Sequence, residues 1–360
     1  MRAWDESEAA VRRAAERRAE VQAETLDDLA ASGIDLDPLG TAHDGDDPED
    51  GSAHEHDPAH PHAHPHVHAA PGARPVTGIV GAGPVGVALG VALARAGWPV
   101  HAVASRDAAR RARFRELVPG VRAFIEASAL VDDVQLVILA VPDDVVGRLA
   151  GSLRLYAGQA LIHTSGLLGV DAIAPAMGAG TQAGAFHPLV AFADLDRALS
   201  ALKGATIAIE GDDELVAHLA EMAEAIGGVP VRLPPGSKAA YHAAAVMAAG
   251  GVDALLDTIR EIAAVMGLGE AGALRIYMPL LEQTVANARA LGIAAALTGP
   301  TTRGDAGTIA AHVAALEAGA PAALPVYRAL MARGIAIATE RGALSPEATE
   351  QLRTALADDL

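Results

Sequence analysis

The sequence contains no cysteine among its 360 residues. This absence excludes disulfides, zinc-thiolate sites, iron–sulfur clusters and catalysis by a thiol. Aromatic residues make up only 3% of the chain, so the core has to be built from Ala, Val, Leu and Ile, which favours closely packed helices and buried parallel strands. A hydrophobic content of 51% with 20% charged residues, over this length, predicts two packed domains and a tail.

Basic residues are also scarce, and the formal net charge is −18. Residues 1–70 carry 17 acidic and 5 basic side chains, so most of the negative charge lies in the tail. No basic stripe is available to replace phosphate counterions, and we expect no nucleic-acid partner. The charged N-terminus does not resemble a secretory signal, and the uncharged stretch 75–94 contains five glycines. We therefore expect a cytoplasmic protein with no membrane contact.

The N-terminal tail, residues 1–72, divides into two parts. Residues 5–31 are rich in Ala, Glu and Arg and predict an exposed helix, in which Glu8 lies four residues before Arg12. Residues 35–75 hold eight of the 14 histidines among Asp, Pro and Gly, and predict a disordered linker. Neutral imidazoles also bind Zn, Ni or Cu, so metal handling is the alternative to a solvated linker. No carboxylate or thiolate framework accompanies them, and we assign no metal site.

Short apolar runs alternate with helical patterns from residue 73 to residue 233, which predicts an α/β Rossmann domain with a mostly parallel, doubly wound sheet. The expected strands are Val76–Val80, Val100–Ala104, Gln135–Val141, Ala160–Thr164, Gly184–His187, Thr206–Glu210 and Val229–Leu233. From residue 234 to residue 360 the pattern changes to an all-α domain. Its expected helices lie near 238–267, 269–292, 305–318, 321–341 and 345–357.

A glycine-rich turn connects the first expected strand to a helix-like run. In such a unit Gly81 permits the tight turn, Gly83 lets a pyrophosphate approach the backbone, and Gly86 lets the helix pack on the sheet. Pro84 and Val85 complete the turn, and the helix N-terminus supplies N–H groups to the phosphates. The motif predicts a dinucleotide site.

The second expected strand ends at Ser105 and Arg106, where an NAD site usually has an acidic residue. A hydroxyl and a guanidinium favour a 2′-phosphate, which predicts NADP rather than NAD. The alternative is that Ser105 or Asp107 only caps the next helix and that the arginines are solvated. Val141 and Pro142 lie at the carboxyl end of another buried strand and are expected to border the nicotinamide.

Three further segments place polar side chains near the expected carboxyl ends of strands. His163 and Ser165 lie at the end of one strand, His187 ends another, and a long helix opens with Lys238, Tyr241 and His242 on one face. We expect this face to meet the carboxyl edge of the sheet.

Six motifs in this order resemble the Rossmann-like family with an appended helical domain of unknown function. They are GAGPVG (81–86), LAVPDD (139–144), HTSG (163–166), AFHPL (185–189), KAAYH (238–242) and LTGPTTRGD (297–305). This family is similar to 6-phosphogluconate dehydrogenase, 3-hydroxyisobutyrate dehydrogenase and pyrroline-5-carboxylate reductase. The resemblance implies a C-terminal domain like that of 6-phosphogluconate dehydrogenase.

The resemblance also implies site residues. Lys238 matches a lysine of the hydroxyisobutyrate-type relatives, whereas Tyr241 and His242 stand where those relatives have asparagines. Lys238 would give a proton to a carbonyl oxygen during hydride transfer, and burial would lower its pKa. His242 would position the substrate or relay the proton. The alternative is that both residues are structural: Lys238 would extend its ammonium to solvent from the start of the helix, and His242 would have its hydrogen bonds made within the core.

Substrate contacts are expected from His163, Ser165, His187, Tyr241 and Arg303, whose guanidinium suits an anionic group. An Arg303–Asp305 pair is the structural alternative. The expected protein is an NADP-dependent reductase of a small carboxylate-bearing ketone or imine, or the reverse dehydrogenase. It is expected to be a homodimer, because glycines 250–251 in an alanine-rich helix allow close helix approach. The competing class is a non-catalytic NADP-binding regulator with a metal-sequestering tail.

Overall fold

The computed structural model describes residues 74–178 and 180–357, so the expected N-terminal helix and the histidine-rich segment lie outside the described residues. The described residues fall into two compact units, the first ending at Ala245 and the second beginning at Val246. The sequence places this boundary at 233/234. The first unit extends further because Lys238 and Tyr241 contact its strands.

The described residues of the first unit form one eight-stranded sheet in the order β3-β2-β1-β4-β5-β6-β7-β8. The strands are β1 Thr77–Val80, β2 Val100–Ala104, β3 Arg122–Phe124, β4 Leu136–Leu139, β5 Ala160–His163, β6 Gln182–Pro188, β7 Thr206–Glu210 and β8 Val229–Arg232. All neighbouring pairs are parallel except β6 and β7, which are antiparallel. The predicted mostly parallel sheet is therefore confirmed.

In the first unit a helix follows most of the strands, and the described part of the second unit consists of helices and the loops between them. The α-helices that begin in the first unit are α1 Pro84–Arg95, α2 Ala108–Leu117, α3 Ala127–Val131, α4 Asp143–Ala150, α5 Leu195–Ala201, α6 Asp213–Ala225 and α7 Lys238–Ala248, with a 3₁₀ helix at Val170–Ala176. The second unit has α8 Gly250–Ala264, α9 Glu270–Leu291, α10 Ile293–Ala296, α11 Pro300–Arg303, α12 Ala306–Gly319, α13 Leu324–Glu340 and α14 Pro346–Leu356, with a 3₁₀ helix at Pro321–Ala323. The predicted helical region after the sheet is confirmed.

The sheet is buried on both faces, as its unbroken apolar strands require. Ile79, Ile138 and Ile162 point to one face, where α1 and α6 pack, and Leu139 and Leu161 point to the other. Each of these side chains is fully buried and contributes about 1.5–3 kcal/mol of transfer free energy. This rigid sheet fixes the loops at its carboxyl edge.

Two of the differences from the sequence prediction have a clear physical reason. The edge strand β3 has only three residues and was not expected, because its pattern is too short to be distinguished from a turn. The single helix expected over 238–267 is two helices, separated where Ala249 leaves helical geometry (φ −108°, ψ −88°). Gly250 and Gly251 therefore begin a helix instead of lying within one. Among the described residues one stretch, Lys238–Ala264, has the length and composition to cross a membrane, and it includes this break.

Candidate active site

The three glycines of the turn after β1 have different physical roles. Gly81 has a φ of +108°, and a Cβ there would overlap the carbonyl oxygen of Ala140. A Cβ at Gly86 would overlap the carbonyl oxygen of Gly81. Gly83, in contrast, has an ordinary φ of −81° and no described atom within 4 Å of a built Cβ. The fold itself does not need glycine at position 83, which leaves the backbone open to an approaching molecule.

The N-terminal end of the helix that follows this turn is open to a ligand. No side chain caps α1, and its first turn contains no acidic residue. The first N–H groups of a helix lack partners within it and carry partial positive charge, so this end suits a phosphate. Val141 lies beside Gly81, and the exposed Pro142 precedes α4, so both flank the turn at the end of the neighbouring strand. The residues present fit a bound dinucleotide.

The end of β2 leaves one arginine free. Asp107 caps α2 by accepting a hydrogen bond from the Arg110 N–H at 3.0 Å, and its carboxylate pairs with the Arg110 guanidinium. Arg111 donates to the carbonyl oxygen of Ser105. Arg106 is exposed and has no hydrogen bond or ion pair within the described part of the chain. The capping alternative thus applies to Asp107, and Arg106 remains available to an anion.

A second group of polar side chains lies further along the sheet. The first half of β6 pairs with β5 and its second half with β7, so that His163, Ala185 and Glu210 lie in register. Residues in register project from the same face of a sheet. His187 follows Ala185 by two residues and projects from that face as well. On this face of the sheet, the polar side chains of His163, His187 and Glu210 interrupt the apolar surface.

Lys238 reaches this group from the first turn of α7. It is buried, and its ammonium donates a hydrogen bond to the carbonyl oxygen of Ser165 at 2.9 Å. Its Nζ lies 3.7 Å from Glu210 Oε2. Burial lowers the pKa of Lys238 below its usual value, and the Glu210 carboxylate partly offsets this effect. Burial raises the pKa of Glu210, and Lys238 partly offsets that.

Two imidazoles lie beside Gly166, and a phenol contacts one of them. His187 Nδ1 lies 3.0 Å from the Tyr241 hydroxyl, and the ring of His187 stands edge-on to those of Tyr241 and His242. A Cβ at position 166 would lie 2.7 Å from His187 Nε2 and closer still to His242 Nδ1. His242 Nδ1 is buried and has no hydrogen-bond partner among the described residues. The sequence-predicted Lys238, Tyr241, His242 and His187 are therefore brought together.

His187 and Tyr241 carry no charge at neutral pH. Burial, with the Lys238 charge second, lowers the pKa of His187 to about 4. Burial also raises the pKa of Tyr241 to about 12. Lys238 and Glu210 form the ion pair at the centre of the cluster.

His163 and Ser165 have structural partners. His163 is fully buried, its Nε2 contacts the Gly169 carbonyl oxygen at 3.0 Å, and its Nδ1 accepts from the Ser165 N–H at 3.3 Å. With both nitrogens engaged, His163 holds the loop after β5, and its expected substrate contact stays a prediction. The Ser165 hydroxyl accepts from the N–H groups of Leu167 and Leu168, so only its proton remains for a ligand.

Arg303 belongs to the second unit. It is exposed at the end of α11 and has no ion pair among the described residues. Asp305 caps α12 instead, accepting from the Thr308 N–H at 3.0 Å and from its hydroxyl at 2.6 Å. The expected helix cap is present, the alternative Arg303–Asp305 pair is not, and the anion-binding role of Arg303 stays a prediction.

The sequence reasoning missed Glu210. The available signal was an acidic residue at the end of an otherwise apolar strand, Thr206–Glu210. A second signal concerns Lys238: the chain has 27 lysines and arginines, and only Lys203 and Lys238 are lysines. Arginine stays protonated, whereas a buried lysine can lose its proton, so a lysine at a buried position in an arginine-rich chain indicates a titrating group.

Comparison with known families agrees with this architecture. A model described as a Rossmann-like domain matches residues 62–188, and one described as a domain of unknown function, DUF2520, matches residues 205–333. The chain therefore carries a Rossmann-like domain followed by a DUF2520 domain. The glycine turn and His187 fall within the first match, and Glu210 and Lys238 within the second. A comparison with curated proteins returns no match.

Solved structures share the fold. BF3122 from Bacteroides fragilis, provisionally described as an NADP oxidoreductase, is 22% identical with a TM-score of 0.62, over 73% of this chain and 98% of that one. A 1-pyrroline-5-carboxylate reductase from Streptococcus pyogenes is 18% identical with a TM-score of 0.52, over 74% and 99%. A reductive aminase from Aspergillus terreus, solved with NADPH, is 18% identical with a TM-score of 0.52, over 79% and 93%. At these identities the likeness concerns the fold.

Proposed function

We propose that this protein is an NADP-dependent oxidoreductase that reduces a small carboxylate-bearing ketone or imine, or oxidises the matching hydroxy acid. The observation that carries the proposal is the position of two features on one sheet. The open Gly83 turn follows β1, and the Lys238 cluster contacts the loop after β5, two strand spacings or ~10 Å further along the carboxyl edge. Proteins of this fold that are described as NADP-linked reductases support it.

Cofactor residues lie along this edge. Gly81, Gly83, Pro84, Val85 and Gly86 would hold the pyrophosphate, since Gly83 leaves the backbone open beside an uncapped helix end. Ser105 and Arg106 would hold a 2′-phosphate, and Val141 and Pro142 would border the nicotinamide. The bound cofactor would supply the hydride.

The chain's own residues would supply the proton and the orientation. Lys238 has a third N–H beyond those directed at Ser165 and Glu210, and this proton would go to the substrate oxygen or nitrogen. His242 Nδ1 and the neutral His187, aligned by Tyr241, would hydrogen-bond the substrate beside Gly166. Burial of Lys238 and of His242 Nδ1 strengthens each contact by excluding water.

The test of this function is turnover. Purified protein would be supplied with NADPH and pyruvate, 2-oxobutyrate, 2-oxoisovalerate or 1-pyrroline-5-carboxylate, and oxidation of NADPH followed by absorbance. We expect at least one compound to be reduced. Tight NADPH binding with no turnover of any of the four would favour the non-catalytic regulator.

Arg106 is expected to decide between the two coenzymes. A charge-assisted hydrogen bond is worth about 1.5–3 kcal/mol, so Arg106→Ala should weaken NADPH binding by roughly 10–100-fold and leave NADH binding unchanged. Calorimetric titration with each coenzyme measures both values. Arg113→Ala, an exposed arginine on the same α2 helix, serves as the matched control. Equal affinity of the wild-type protein for NADPH and NADH would contradict this assignment.

The second unit supports the expected homodimer. In α9, a 22-residue helix, Ala273 is the one buried residue, while Leu280 remains 60% exposed. A helix with so little of its apolar surface buried marks an interaction site. Because Glu282 and Arg289 are charged and lie on the same helix, a second protein chain is a more favourable partner than lipid. We expect sedimentation of a dimer at micromolar concentration, and of a monomer for Leu280→Glu. A monomeric wild-type protein would contradict the assembly but not the chemistry.

A further inference from the structure

Glu210 and Lys238 form a pair in which the two partners differ in access to solvent. Lys238 Nζ lies 3.7 Å from Glu210 Oε2, and the side chains are 6% and 18% exposed. Glu210 Oε2 accepts no hydrogen bond within the described residues, although Lys238 donates to the Ser165 carbonyl. A buried carboxylate oxygen without a hydrogen bond is costly, and the fold retains it beside a lysine. The carboxyl group is therefore free to exchange a proton with the amine.

We propose that Glu210 is the proton carrier that recharges Lys238 from solvent. The proposal rests on the proposed function for its catalytic consequence. Lys238 gives one proton to the substrate oxygen or nitrogen as the hydride reaches carbon, and becomes a neutral amine. Glu210, a carboxylate in the resting pair, then takes a proton from water and gives it to that amine, so the pair regains its starting charge after each turnover.

The groups around the pair favour proton transfer from Glu210 to Lys238. Burial raises the pKa of Glu210 and lowers that of Lys238, which brings the two proton affinities closer together. The neighbouring His163 and His187 each have a pKa lowered to about 4 by burial, so they do not compete for the proton at neutral pH. Asp143 and Asp171 are exposed and act on the pair only through their charge. Glu210 is thus the acid placed between Lys238 and water.

The sequence permits a direct test that needs neither substrate nor cofactor. Because Lys203 and Lys238 are the only lysines, protein labelled with ¹⁵N-lysine gives two side-chain signals, and the exposed Lys203 is an internal reference. In Glu210→Gln we expect the titration midpoint of Lys238 to fall, because the ammonium loses its carboxylate. We also expect exchange of its ammonium protons with water to slow by roughly 10–100-fold, the carrier having been removed. The Lys203 signal should not change.

Kinetics supply the second readout, with the best of the four assay compounds. In Glu210→Gln we expect kcat to fall by roughly 10–100-fold, to rise with the concentration of a small acid such as imidazolium, and to show a larger solvent deuterium isotope effect. Glu210→Asp should retain part of the wild-type rate. Glu224→Gln, on the exposed face of α6, is the matched control and should behave as wild type.

The two readouts separate the proposals. Unchanged proton exchange at Lys238 in Glu210→Gln would overturn the carrier role, whatever the activity. A fall in kcat without buffer dependence or a larger isotope effect would also overturn it and leave Glu210 as a fixed counter-charge. Absence of turnover by the wild-type protein would contradict the proposed function, while slowed exchange in Glu210→Gln would still support the carrier.

Discussion

Lys238→Met is expected to reduce turnover by about 10²–10⁴-fold while NADPH binding survives, because a positioned acid contributes that much to a proton transfer. Methionine keeps most of the side-chain volume and cannot donate a proton. The glycine turn lies two strands away from the β5 loop that Lys238 contacts, so cofactor affinity should stay within about twofold of wild type. The measurements are kcat with the best assay compound and calorimetric titration with NADPH.

The chain offers a matched control for this variant. Lys203 is its only other lysine and is exposed, so Lys203→Met makes the same chemical change away from the site. Loss of Lys238 also leaves Glu210 and the Ser165 carbonyl without their cation, and we expect unfolding to become easier by about 1–3 kcal/mol. Assays therefore belong well below the melting temperature of the variant. A Lys238→Met protein with near-normal kcat would remove Lys238 from the reaction.

Features set by neighbouring residues could be predicted from the sequence. The turn at Gly81–Gly86 is local, because a strand, three spaced glycines and a helix follow one another within the chain. The helix that begins at Pro346 was predicted for the same reason, since Ser345 caps it. Arg106, on which the proposed NADP preference rests, is also a local signal, although the structure was needed to separate it from Arg110 and Arg111, which have partners.

Features set by strand register could not be predicted. Alternating strands and helices indicate parallel pairs, and nothing local to β7 signals that it runs against β6. The reversal brings the end of β7 level with the end of β5, so that Glu210 aligns with His163. Because β8 runs parallel to β7, α7 begins near the same level and Lys238 meets Glu210. Glu210 was therefore missed, and the hydrogen bonds of His163 to Gly169 and Ser165 were not foreseen.

The same substitution at two glycines of the turn is expected to give opposite results. A methyl group at Gly83 meets no atom of the fold, so Gly83→Ala should leave the melting temperature unchanged. The methyl group would stand where a pyrophosphate approaches the backbone, and NADPH affinity should fall by roughly 10–100-fold. At Gly86 the methyl group would overlap the Gly81 carbonyl, and Gly86→Ala should destabilise the first unit by about 1–3 kcal/mol. Thermal unfolding and calorimetric titration measure the two effects.

This pair of variants separates a binding turn from a packing turn. If glycine at position 83 served only the fold, Gly83→Ala would lower the melting temperature and binding together, as Gly86→Ala is expected to do. The ordinary φ of −81° at Gly83 removes backbone strain as a cause of any loss, because alanine adopts this value freely. A stable Gly83→Ala protein with undiminished NADPH affinity would therefore mean that the coenzyme does not lie on this turn. The assignment of Lys238 and Glu210 to a hydride-transfer reaction would then lose its physical basis.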